Sequence, residues 1–163
     1  MRKCWERIPA VVGTIDISRA FATIPHSLIL EGLSALQVDS CTITLVAAIL
    51  DTAALEICTN TRETFQLPLR GGIVEGSPFS MILLAAGSHR LLMFLKQDND
   101  FRSAILTLPT AMYSSECPIF PQIWVDDWIM FASSSDALQT LIRRTAALLR
   151  RYGGPLSPKK SSG

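Results

Sequence analysis

Apolar residues recur along this chain in two rhythms, one suited to strands and one to helices. At 10–15 a short run with two valines ends on Asp16, the pattern of a buried strand that stops at a charge. Pro25 then opens a helical stretch in which Leu28, Leu30, Leu33 and Leu36 keep helical company as far as Gln37. Residues 43–50 predict a second helix, and 54–58 with 64–69 a hairpin across 59–63. Gly71, Gly72, Gly76 and Pro78 make a loop that leads into an apolar helix through Leu95. Over 99–116 the pattern is undecided between a strand and an insertion. Two β-prone runs follow, 119–125 and 128–132, joined by Asp126 and Asp127: a hairpin with two acids at its tip. The clearest amphipathic helix spans 135–152. Its stripe is Leu138, Leu141, Ile142, Leu148, Leu149 and Tyr152, with Arg143, Arg144, Arg150 and Arg151 off it. Serines ahead of it offer caps, and Gly153, Gly154 and Pro155 stop it. The Gly-, Pro-, Ser- and Lys-rich end, 153–163, predicts a flexible tail.

Composition narrows the class. With 163 residues, 48% hydrophobic and 18% charged, the chain reads as one domain with a real core and not as a disordered segment. A net charge of +1 advertises no acidic partner by itself. The charge is nonetheless segregated, because six basic residues and no acid fall between 137 and 163. Asp51, Glu75, the His89 and Arg90 pair, and the two adjacent acids interrupt the long apolar runs. None is read as reaching the ~20 residues of a spanning helix. The first ten residues carry no secretory pattern, so the expectation is an intracellular protein without a membrane partner. Cys4, Cys41, Cys58 and Cys117 are widely spaced, and with His26 and His89 they form no zinc pattern.

The chemistry concentrates on carboxylates. Two adjacent acids between apolar strands repel each other, and burial raises that cost unless a cation compensates. An exposed turn that happens to use Asp twice is the ordinary explanation. Asp16 also sits at a strand end, and three carboxylates cluster if the two strands are neighbours. Hard oxygen ligands suit Mg²⁺, which takes few carboxylates beside water and phosphate. Two such ions about 4 Å apart clamp an in-line phosphoryl displacement.

Four segments, in order, resemble the motifs of reverse transcriptases, most closely those of non-LTR retrotransposons and group II introns. DISRAFATIPH at 16–26 is similar to motif A, GIVEGSPFS at 72–80 to motif B, WVDD at 124–127 to motif C, and LSPKKS at 156–161 to motif D. The resemblance implies an α+β polymerase palm with a ferredoxin-like core, an antiparallel sheet packed on helices. It implies two-metal nucleotidyl transfer by an RNA-directed DNA polymerase acting on an RNA template, a DNA primer and deoxynucleotides. Asp16, Asp126 and Asp127 would bind two Mg²⁺ ions (or Mn²⁺), with Asp127 least direct and the Ile17 carbonyl completing a shell. Phe21 would be the aromatic gate that leaves no room for a ribose 2′-hydroxyl. Gly72, Glu75 and Gly76 would line the incoming nucleotide, and Lys160 would protonate or neutralise the leaving pyrophosphate.

Several positions depart from the family pattern. Glu75 stands where Gln is usual, Ala22 where Asp is frequent, Trp124 where Tyr or Phe is usual, Met81 where Pro often stands and Ser157 where Asn is common. Fifteen residues before Asp16 and three after Lys160 leave no room for fingers and thumb, so the chain is expected to be a truncated palm. An inactive remnant, and a nucleic-acid-binding module that uses the basic C-terminal helix, are the competing expectations. A palm of an RNA-dependent RNA polymerase fits less well, since that family favours Asp at the Phe21 position and Gly at the Val125 position.

Overall fold

Helix caps and strand runs place the elements close to where the pattern puts them. The structure, a computed structural model, describes residues 9–60, 63–109 and 116–153. In chain order the elements are β1 (Val11–Asp16), α1 (Ala20–Thr23), α2 (His26–Ala35), α3 (Ser40–Thr52), β2 (Ala54–Cys58), β3 (Thr64–Pro68) and α4 (Pro78–Gln97). They continue with α5 (Asn99–Ala104), β4 (Thr107–Pro109), β5 (Glu116–Pro118), β6 (Gln122–Trp124), β7 (Asp127–Ala132) and α6 (Ser135–Arg151). The undecided region thus holds a short helix and two short strands. The tail expected over 154–163, with Lys160 and the fourth motif, lies outside the described residues.

Local chemistry explains the starts of the helices. Asp39 caps α3 by accepting from the Thr42 amide at 2.9 Å and its hydroxyl at 2.6 Å. The Thr42 hydroxyl, then its amide, hold the Asp39 carboxyl below its ordinary value. Asp98 caps α5 through the Phe101 amide at 2.9 Å. Pro25, extended at φ −66°, precedes α2, where a missing N–H costs nothing.

Contacts divide the chain into two compact units, one built on β1 and Phe94–Leu149, the other on Arg19–Met93. In the first, three antiparallel strands lie in the order β1-β7-β6, with Ile15 opposite Trp128 and Gly13 opposite Met130. Ile15, Trp128, Met130 and Ala132 are buried, as are Phe101, Ala104, Ile105 and Leu106. The buried stripe of α6 is Leu138, Leu141, Thr145 and Leu149, while Ile142 and Leu148 are half-buried. Thr145 joins this apolar stripe because its hydroxyl donates to the Leu141 carbonyl at 2.9 Å. Arg144 pairs with Asp98 and Asp100.

In the second unit α2 packs on α4 at Gly32, where an added Cβ would stand 2.1 Å from the Ala86 carbonyl oxygen. Arg90 bonds Glu31 at 3.0 Å. The hairpin pairs Leu55 with Leu67 and Ile57 with Phe65, so all four share one face, and all four are exposed. Helix α4 runs 20 residues, two beyond the expected end at Leu95, and it corrects the expectation that His89 and Arg90 keep this apolar run short of a spanning length. It is long and apolar enough to cross a bilayer, with 44% of its apolar window buried inside the protein. Single-residue interruptions ended the apolar run on paper; a half-buried His and an Arg paired to Glu31 do not interrupt a helix.

Candidate active site

The acids of the first unit are gathered by strand pairing. β1 ends on Asp16, and antiparallel register sets Asp16 directly opposite Asp127. Residues so opposed present their side chains to the same face, about 5 Å apart at Cβ. Asp126 precedes Asp127 in a turn of two residues closed by the Trp124–Asp127 pair. The Ile17 amide donates to the Asp126 carbonyl at 3.1 Å, which fastens the end of β1 to that turn. Asp16 and the Asp126–Asp127 pair, 110 residues later in the chain, therefore lie at one end of one sheet. Asp16 is 7% exposed, Asp126 half-buried and Asp127 exposed. Ile17 is buried.

Such an arrangement is costly without a counter-charge, because like charges directly opposite each other on a sheet destabilise it. Among the described residues no three His, Cys, Asp or Glu side chains are grouped to hold an ion by themselves. A Mg²⁺ ion needs fewer, since it binds through one or two carboxylates and completes its octahedron with water and substrate phosphates. Asp16, buried at the strand end, and Asp126, half-buried in the adjoining turn, are oxygen donors with no nitrogen or sulfur in the set, the donor type that hard ion takes.

The turn itself is strained. Val125 has φ 58°, the left-handed region that a β-branched residue rarely enters. Hairpins with two-residue turns place Gly at such a position. Residues held this way cost on the order of 1–3 kcal/mol, and strain of this kind collects at functional sites. Val125→Gly is expected to stabilise the protein by about 1 kcal/mol, once the added freedom of glycine in the unfolded chain is subtracted. The midpoint of denaturant unfolding measures this, and no rise would mean that the turn is relaxed. Trp124 beside it is 75% exposed.

In the second unit a different set comes together. Phe21, half-buried, lies in the short α1, and its carbonyl accepts from the Ile73 amide at 2.6 Å. The Gly72 amide donates to the Ile24 carbonyl at 2.8 Å, and Nε2 of His26 lies 2.8 Å from the Gly72 carbonyl oxygen. Gly72 has φ 75°, and an added Cβ would stand 2.5 Å from the Ala22 carbonyl oxygen; only glycine fits. The first and second motifs are thus stitched backbone to backbone. Glu75 and Gly76 are exposed in the turn that follows, and Ser80 Oγ donates to the Val74 carbonyl at 2.6 Å ahead of them. His26, Ser80 and Val125 are the contributors that residue type did not single out. Their signal is a loop length or a distant carbonyl, neither of which a linear pattern displays.

Comparison with known proteins shows the family and the fold. Residues 7–163 match the family described as reverse transcriptase (RNA-dependent DNA polymerase). The chain is 24% identical over 149 residues to a retrovirus-related Pol polyprotein from the type-1 retrotransposable element R2 of Popillia japonica, covering 91% of this chain and 23% of that protein. A second such polyprotein from the same organism is 25% identical over 151 residues, covering 92% and 20%. The chain therefore spans less than a quarter of the length of these curated relatives. Among solved structures, apo telomerase from Candida tropicalis superposes with a TM-score of 0.69 at 12% identity over 99% of this chain and 29% of that one. Telomerase from Candida albicans in complex with a TWJ fragment of telomeric RNA gives 0.66 at 11% identity, over 94% and 26%. At such identity the likeness concerns the fold alone, and that fold is the α+β palm expected from the sequence.

Proposed function

The chain belongs to the reverse transcriptase family, of the non-LTR retrotransposon type, and from that premise we propose that it is the palm domain of an RNA-directed DNA polymerase. The observation that carries the reading is the register that sets Asp16 opposite Asp127, with Asp126 in the adjoining turn. The family's chemistry runs on divalent metal ions; here Asp16 and Asp126, with the Ile17 carbonyl, would hold two Mg²⁺ ions, and Mn²⁺ would substitute. Asp127 would act less directly, through the field it adds. When bound, such ions activate the attacking oxygen and stabilise charge on the leaving one.

The remaining roles fall to the chain's own groups. Phe21 would lie under the sugar and exclude a 2′-hydroxyl by contact, and the peptides at Gly72 and Gly76 would approach the nucleotide closely. Lys160, outside the described residues, would neutralise the pyrophosphate. The substrates would be an RNA template, a DNA primer and deoxynucleotides. A module that binds nucleic acid through its basic C-terminal helix is less well supported, because Arg144 is already paired with Asp98 and Asp100.

The test is primer extension on an RNA template, with Mg²⁺, by a longer polypeptide in which fingers and thumb flank this chain. Incorporation of labelled deoxynucleotide is expected. Its absence, with the polypeptide folded, would make the chain an inactive remnant. Glu75 offers a sharper check. A carboxylate in place of the usual Gln repels a triphosphate, although exposure to water screens it. Glu75→Gln is expected to lower KM for deoxynucleotide about threefold to tenfold with kcat little changed. An unchanged KM would place Glu75 away from the nucleotide.

A further inference from the structure

We infer that His26 is a positioning residue, one that fixes the Gly72 peptide against the turn carrying Phe21; its bearing on nucleotide selection rests on the polymerase reading above. The loop between β3 and α4 has no ladder to satisfy its backbone. Gly72 and Ile73 are nevertheless buried, and buried peptide groups need partners. They find them on one short segment. The Gly72 amide reaches the Ile24 carbonyl, the Ile73 amide reaches the Phe21 carbonyl, and the Gly72 carbonyl faces His26 Nε2 at 2.8 Å. A carbonyl oxygen only accepts, so this nitrogen carries the proton.

Of these three bonds the one from His26 is made by a side chain, and it spans 46 residues of sequence. The backbone that carries the ring is anchored. His26 is the first residue of α2, directly after the extended Pro25, and Leu28 and Ile29 bury the first turn of that helix at 1% and 0% exposure. The His26 backbone is thus anchored in the helix, and its imidazole holds the loop. If the Gly72 peptide is released, the bonds to Ile24 and Phe21 loosen with it, because all three sit on two consecutive residues. The height of the Phe21 ring would then be less well defined.

Three measurements decide it. In the 163-residue chain, His26→Leu keeps apolar bulk and removes the donor, while His26→Gln keeps a donor. Amide exchange at Gly72 and Ile73 is expected to quicken about tenfold in the Leu variant and to stay near the parent rate in the Gln variant. Unchanged exchange in His26→Leu would overturn the inference. Imidazole ¹⁵N shifts of the unsubstituted protein need no variant: protonated Nε2 is expected, and a bare Nε2 would overturn it. In the longer polypeptide, His26→Leu should raise KM for deoxynucleotide and weaken discrimination against ribonucleotides, with Gln restoring both. A loss of thermal stability with both parameters unmoved would reduce His26 to a structural role and sink the inference. If the unsubstituted polypeptide adds no nucleotide, the polymerase reading fails, and exchange with the ¹⁵N shifts still decides whether His26 holds the loop.

Discussion

Asp126→Ala is expected to lower metal-dependent nucleotide addition by ~10³-fold or more in a polypeptide that carries this palm. The reasoning starts from charge. A metal ion at a phosphoryl-transfer centre contributes several kcal/mol of transition-state stabilisation, and each 1.36 kcal/mol is a factor of ten. Asp126 sits in the turn to which the end of β1 is bonded, and Asp16 at that strand end is almost fully buried. The adjacent Asp127 is exposed, so it is less well placed to replace either. Asp16→Asn should behave alike, and Asp127→Asn, at an exposed position, should cost less. A second readout is independent of turnover. Without metal, removing one of three like charges at this sheet end should raise stability. With 10 mM Mg²⁺ the parent should gain about 1 kcal/mol, as expected of a millimolar site, and Asp126→Asn should gain nothing. Thermal unfolding with and without Mg²⁺ measures both. Extension within tenfold of the parent rate in Asp126→Ala would remove this acid from the chemistry.

The largest effect on stability is expected at Gly32. Its missing Cβ allows α2 to approach α4 so closely that an added methyl would stand 2.1 Å from the Ala86 carbonyl oxygen and 2.5 Å from its carbon. Those are backbone atoms in the middle of a helix, and no side-chain rotation relieves the overlap. The helices must separate, and the buried contacts of Leu28, Ile29, Leu83 and Leu84 loosen together. Overpacking usually costs 1–3 kcal/mol, more where backbone is the obstacle, so Gly32→Ala is expected to cost about 3 kcal/mol or more. Against a total stability on the order of 5–15 kcal/mol, that is a large fraction. A fall in Tm of about 6–12 °C should accompany it. A change below 1 kcal/mol would mean that the two helices do not meet at this residue.

Much of the candidate site was legible without coordinates. An apolar run that ends on Asp16 and two β-prone runs that flank Asp126 and Asp127 predict strand ends carrying carboxylates, because alternation and charge are local properties. The serine cap of α6, which is Ser134, and the stop after that helix are equally local. Thr145 was not legible, since its place in a buried stripe depends on a hydroxyl finding the Leu141 carbonyl. The helix α4 itself was read through Leu95, but the length of its apolar run was underestimated for a related reason. An ion pair to Glu31 on another helix absorbs the charge that seemed to end the run.

By itself, then, the sequence determined which residues could carry chemistry and which kind of element each would occupy. The order of four motifs was enough to imply the family. Only tertiary structure decided that Asp16 stands opposite Asp127, that a two-residue turn forces Val125 into a left-handed backbone, and that His26 meets the Gly72 carbonyl. The physical reason is range. Periodicity, capping and turn chemistry act over a few residues, whereas register, close approach and the satisfaction of buried peptides join groups tens of residues apart, and these exist only once the core has formed.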